Sequence, residues 1–197
     1  MGDITIKEMQ AVLTIVKSPE ASYNAHSLAK VLDISSMGAL KILKRLEKES
    51  ILKSKQIGRS AIYRINVENE YARKHVVFLL SREVLHSSPL VKRWAQELKK
   101  IQNANLVILF GSVLEKQDPH DIDVLLVTSQ KKYLSLQQEI KELNHINVKQ
   151  IHPLYQSSAD IVKNIRKRDK PLLNAIKGVV IFGEELFLEV CHESRQE

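Results

Sequence analysis

The sequence predicts an α+β protein in three successive parts: a helical module closed by a β-hairpin over 1–66, a helical connector over 67–88, and a small α/β domain with a mixed sheet over 89–197. Three features of the chain lead to this reading. Apolar residues recur at steps of three and four through the first fifty positions, then give way to two short strand-like runs around Gly58. Between Val67 and Asn103 there is no glycine, and only Pro89 interrupts a helical pattern. Beyond it, Asn105–Phe110 and Val124–Val127 are short apolar runs bounded by turn residues, the mark of buried strands.

The elements follow in order. Ile6, Met9, Leu13 and Val16 form one stripe of a first helix. Asn24 is a helix cap before Leu28, Ala29 and Leu32, and Asp33-Ile34-Ser35-Ser36 is a short turn into a third helix ending near Glu49. Gly38 stands near the start of that helix, where a mid-helix glycine would cost about 1 kcal/mol against alanine. Ile51–Lys55 and Ser60–Ile65 then pair across a tight turn at Gly58.

Charge is concentrated in this first part. The chain carries +7 overall, and residues 1–66 hold eleven basic against six acidic side chains. On the third helix Leu40, Leu43 and Leu46 share one side, while Lys41, Lys44, Arg45 and Lys48 lie at i, i+3, i+4 and i+7 on another. Lys55 and Arg59 add charge along the hairpin and at its tip. One face is suited to a core and the other to phosphates. In this order of elements, ending in Gly58-Arg59 and Tyr63, the segment resembles the winged helix-turn-helix transcription regulators. That resemblance implies double-stranded DNA as a partner, through Lys41, Lys44, Arg45, Lys48, Lys55 and Arg59, and a homodimer reading two half-sites.

In the connector, Tyr71, His75, Phe78 and Leu79 form one stripe, and Val76–Leu80 is apolar almost all round. Such a helix belongs at a domain junction, at a dimer interface or inside the chain's own core. The next helix places Val91, Trp94, Leu98 and Ile101 at core spacing, so Trp94 is a packing residue.

The chemistry lies between the two apolar strands. The first ends at Gly111-Ser112, and the second opens with Asp121-Ile122-Asp123. Alternation along a strand turns both aspartates to one face and Ile122 to the core. Carboxylates so placed bind divalent cations together, and a Gly-Ser turn lets backbone N–H groups and a hydroxyl approach a phosphate. The parts match metal-assisted phosphoryl or nucleotidyl transfer, with Mg²⁺ on Asp121 and Asp123 and the phosphates of a nucleoside triphosphate on Gly111 and Ser112.

From about Leu90 to Leu188 the chain resembles the minimal nucleotidyltransferases of the DNA polymerase beta superfamily, through Gly111, Ser112, Asp121, Asp123 and the later run Leu172–Glu184. The resemblance implies a Mg²⁺-dependent transfer of a nucleotide to a protein, RNA or small molecule, and HEPN-type toxins as partners. It also implies a third carboxylate on the next strand. Here that strand reads His145–His152 without Asp or Glu, and the matching position holds Lys149. Lys149 is therefore expected to contact nucleotide or to pair with Asp121 and Asp123 in place of a metal, leaving catalysis impaired; the expected function is a DNA-binding transcription regulator whose second domain binds nucleotide or a partner, with active nucleotidyl transfer as the alternative. Val113, Leu114 and Glu115 stand where active members place Arg and Gly.

Other classes are excluded or weak. Cys191 is the lone cysteine, so an intramolecular disulfide and a multi-cysteine zinc site are ruled out. No apolar run reaches the roughly 18 residues of a membrane span, and Met1–Ile4 shows no secretory pattern, so a cytoplasmic protein is expected. The seven histidines show no close-spaced ligand pair. Lys163, Arg166, Lys167, Arg168 and Lys170 cluster at the end of an amphipathic helix.

Overall fold

The computed structural model describes residues 4–195. The chain divides into two compact units, Met1–Leu79 and Leu80–Glu197, so the division falls inside the expected connector.

In the first unit, α1 (Ile6–Lys17) starts from Thr5, whose Oγ1 accepts from the Glu8 N–H at 3.2 Å while Glu8 Oε2 accepts from the Thr5 N–H at 2.8 Å. This reciprocal cap satisfies two donors that a helix start leaves open. Met9, Val12, Leu13 and Val16 are buried, whereas Ile6 is exposed, so the core stripe begins one turn later than its periodicity indicates. Helix α2 (Ala25–Leu32) is capped by Asn24, as its sequence predicts. Helix α3 (Ser36–Lys48) is capped by Ser35, whose Oγ accepts from the Gly38 N–H at 3.0 Å. Gly38 therefore belongs to the capped first turn rather than to the helix interior. The buried stripe of α3 is Ala39, Leu43 and Leu46; Leu40 is only half-buried.

Strands β1 (Leu52–Ile57) and β2 (Ser60–Ile65) pair antiparallel, with Gly58 at φ +58° in the two-residue turn. Tyr23 bridges Tyr63 as a short third strand. Three helices and a hairpin in this order are a winged helix-turn-helix. Helix α4 (Glu70–His86) runs across the division between the units. Its buried residues are Ala72, Val76, Leu79 and Leu80, while Tyr71 and Phe78 are exposed. The stripe expected through Tyr71, His75, Phe78 and Leu79 is thus rotated toward the smaller apolar side chains.

In the second unit, α5 (Pro89–Leu98) leads to β3 (Leu106–Phe110) and β4 (Ile122–Val127). Helix α6 (Tyr133–Ile146) crosses to β5 (Ile151–Gln156), and α7 (Ser158–Arg166), α8 (Lys170–Ala175), β6 (Val179–Phe182) and α9 (Glu184–Glu193) complete the unit. The sheet order is β5-β4-β3-β6, parallel between β4 and β5 and antiparallel elsewhere, so the expected mixed sheet is present. The α6 crossover is what a parallel pair requires.

Alternation divides the sheet between two layers. Val107, Leu109, Ile122, Val124 and Leu126 join Trp94 and Leu98 of α5 and Leu136 and Ile140 of α6 in one core. Asp121, Asp123 and Leu125 therefore belong to the opposite face. The third strand begins later than expected: residues 145–150 finish α6 and form the turn, and the Asn144 side chain accepts from the Ile151 N–H at 2.7 Å where β5 starts. Pro153 is tolerated because β5 is an edge strand.

Candidate functional site

The end of β3 sets the first part of the site. Gly111 has φ +76°, which turns the chain out of the sheet into a 3₁₀ turn over Gly111–Leu114. A Cβ at this position would lie 2.1 Å from Asp123 Oδ2, so only glycine leaves room for that carboxylate. Ser112 is half-buried, and its hydroxyl has no hydrogen-bond partner among the described residues.

The acids stand at the head of β4. Asp123 pairs in register with Phe110 on β3 and with His152 on β5. His152 Nδ1 is 3.1 Å from Asp121 Oδ2. One ligand atom each from Asp121, Asp123 and His152 falls within 4.8 Å of the others. Burial, and then the neighbouring Asp121 carboxylate, push the Asp123 carboxyl above the usual aspartate range, with His152 opposing them. Two carboxylates crowded on one strand face, one partly buried, are relieved by a cation between them. Asp123 and His152 also line a cavity of about 530 Å³ with Phe110, Pro153, Leu154, Pro171 and Asn174.

The donor set fits a divalent cation by its chemistry: two carboxylates, one imidazole and a glycine that clears space for Asp123. Ligand spacing along the chain does not reveal the histidine, because the trio forms across strands. The available signal is the period-two pattern of Ile151-His152-Pro153-Leu154, which with Ile151 inward turns His152 toward the acids.

Lys149 is placed differently from its sequence expectation. It lies in the turn before β5, where its Nζ donates to Asp118 Oδ1 and to the Pro119 carbonyl, each at 2.5 Å. This hydrogen bond holds the Asp118 carboxyl below its ordinary range. The partner of Lys149 is thus the loop leading into β4 and not Asp121 or Asp123; the residue beside Asp123 is His152. The cause is the late start of β5, which leaves Lys149 outside the sheet.

Among the basic residues of the first unit, Lys41, Lys48, Lys55 and Arg59 are exposed. Lys44 is exposed as well and bonds to Glu47 at 2.8 Å. Arg45 is set apart, because its Nη1 lies 2.8 Å from Oε1 of the buried Glu8 and its Nε 3.2 Å from Glu49 Oε1. Arg45 ties α3 to α1, so the outward cationic row is Lys41, Lys44 and Lys48. In the second unit Lys167, Arg168 and Lys170 are exposed beside Pro171 and make no ion pair among the described residues.

Fold and site together define a winged-helix chain carrying a nucleotidyltransferase-type domain. Residues 92–183 match the family model described as Polymerase beta, Nucleotidyltransferase, and that segment is a domain of this family. No curated protein matches the chain. Among solved structures, a single-site mutant of Lactococcus lactis ZitR is 19% identical at a TM-score of 0.30, covering 50% of this chain and 55% of that one. RV1404 from Mycobacterium tuberculosis is 18% identical at a TM-score of 0.33, covering 50% and 74%. The adhesin competence repressor AdcR from Streptococcus pyogenes is 15% identical at a TM-score of 0.29, covering 50% and 77%. The chain thus spans little more than half the length of ZitR, and at these TM-scores the likeness adds nothing to what the helices and hairpin themselves display.

Proposed function

We propose that the chain binds duplex DNA through its winged helix and that its C-terminal domain is a divalent-cation-dependent nucleotidyltransferase. The observation that carries this reading is the convergence of Asp121, Asp123 and His152 within 4.8 Å, with Asp123 and His152 lining a cavity and Gly111 packed against the Asp123 carboxylate. A bound cation would neutralise the triphosphate and polarise its α-phosphorus. Asp121, Asp123 and His152 would hold that cation. The backbone of Gly111 and the unengaged Ser112 hydroxyl donate to phosphate oxygens.

In the transfer, an acceptor hydroxyl oxygen would bond to the α-phosphorus as the bond from that phosphorus to the pyrophosphate oxygen breaks, the hydroxyl proton passing to solvent and pyrophosphate leaving. The acceptor is a hydroxyl of a protein partner such as a HEPN-type toxin, of RNA or of a small molecule. Arg168 and Lys170, beside the cavity-lining Pro171, supply positive charge that Val113, Leu114 and Glu115 do not. A second reading, a nucleotide sensor without transfer, is favoured by those same three residues after the Gly-Ser turn.

Incubation of the full chain with each radiolabelled nucleoside triphosphate and Mg²⁺ or Mn²⁺ separates the two. Label transferred by wild type and lost in Asp121→Ala/Asp123→Ala supports the transferase; bound but never transferred label supports the sensor. DNA binding is tested by the slope of affinity against salt, which phosphate contacts make steep. A flat slope defeats the interface proposed for α3 and the hairpin.

A further inference from the structure

We infer that Asp121, Asp123 and His152 form a mixed nitrogen–oxygen site that selects cations of the Mn²⁺ and Co²⁺ type over Mg²⁺. The inference rests on the reading that this site binds a divalent cation, and it names the class of cation.

The geometry brings three ligand atoms close enough to share one ion. His152 Nδ1 and Asp121 Oδ2 are 3.1 Å apart, close to the ~3 Å edge of an octahedron with bonds of about 2.1–2.2 Å. One ligand atom from each of Asp121, Asp123 and His152 lies within 4.8 Å of the other two. The arrangement is built into the sheet. Asp123 and His152 are register partners on parallel strands, so their side chains leave the same face together, and Gly111 keeps a Cβ out of the space that Asp123 Oδ2 fills.

The chemistry of the donors then sets the preference. Mg²⁺ is small and hard and keeps an all-oxygen octahedron, exchanging its waters reluctantly. An imidazole nitrogen is a poor replacement for one of those oxygens. First-row transition cations accept nitrogen readily, and their affinity for such sites rises from Mn²⁺ to Co²⁺. Placing an imidazole where a third carboxylate would complete an oxygen set also removes one negative charge, which weakens Mg²⁺ more than ions that gain from the nitrogen.

The test uses the full-length protein without nucleotide. Mn²⁺ binding is followed by electron paramagnetic resonance, Mg²⁺ is added as competitor, and Co²⁺ absorption reports nitrogen ligation. Wild type is expected to bind Mn²⁺ about tenfold or more tightly than Mg²⁺ and to give a nitrogen-shifted Co²⁺ spectrum. His152→Asp, which restores an all-oxygen set, is expected to bring the two affinities together and abolish that spectral shift. Asp123→Asn is expected to lose both metals, with far-UV circular dichroism confirming that it folds.

Equal wild-type affinity for Mg²⁺ and Mn²⁺, or a ratio unchanged by His152→Asp, overturns the inference. If wild type binds neither ion, the inference and the cation-dependent reading fall together. Metal selection as described without label transfer defeats only the transferase reading, whereas transfer supported equally by both ions defeats only the selectivity.

Discussion

Asp123 and His152 are register partners on the parallel strands β4 and β5, although 29 positions separate them in the sequence. Their pairing turns a two-carboxylate motif into a three-ligand site. It depends on α6 returning the chain to the sheet with Ile151 opposite Ile122. A one-residue slip of β5 would swing the imidazole to the α5/α6 side.

Gly111 is where that site meets the backbone. Gly111→Ala forces a side chain into the left-handed region at φ +76° and onto Asp123 Oδ2. The backbone part alone should cost about 1–2 kcal/mol. Urea denaturation should show that loss and a Mn²⁺ titration a weakened site; a variant that matches wild type in both would refute the close packing of Gly111 and Asp123.

The ion pair of Glu8 and Arg45 separates structural from DNA-facing cations. Glu8→Ala removes a helix cap and one of the ion-pair partners of Arg45, and should cost about 1–2 kcal/mol. Arg45→Ala should destabilise in the same direction. Lys41→Ala and Lys48→Ala should leave stability alone and each reduce the salt slope of DNA binding by about 0.9. Chemical unfolding and a salt series on the four variants check this, and an Arg45→Ala variant that loses DNA affinity but no stability would return Arg45 to the interface.

His75 is expected to make the first unit sensitive to acid. Its ring is half-buried, Nε2 has no hydrogen-bond partner, and burial lowers its pKa from 6.5, with Glu49 opposing. Because the folded value is lowered, the unfolded chain binds more protons in the window just below 6.5, and stability falls as pH drops through it. His75→Phe should flatten that slope, since it removes the titration without breaking a hydrogen bond. Thermal unfolding between pH 5 and 8, the range about the ordinary histidine value, measures it; an unchanged slope would assign the acid sensitivity to another group.

Lys149→Ala should lose the tie to Asp118 and Pro119 while leaving Mn²⁺ affinity at Asp121, Asp123 and His152 as in wild type. A large change in that affinity, measured by the same resonance titration, would bring Lys149 back among the residues acting on the metal.

Local rules account for what was legible along the chain. The cap at Asn24, the short turn at Asp33–Ser36, the turn at Gly58, the two buried strands and the placement of Asp121 and Asp123 on one face all follow from periodicity and turn chemistry over a few residues. Which charges are spent internally, and which side chains meet across the sheet, emerged only on folding. Arg45 has the same spacing as its lysine neighbours, yet Glu8 on another helix holds it. Lys149 and His152 are three positions apart, and the point at which β5 begins puts one in a loop clasp and the other beside Asp123. Strand register and helix-to-helix ion pairing join residues far apart in the chain, and no short-range pattern encodes that distance.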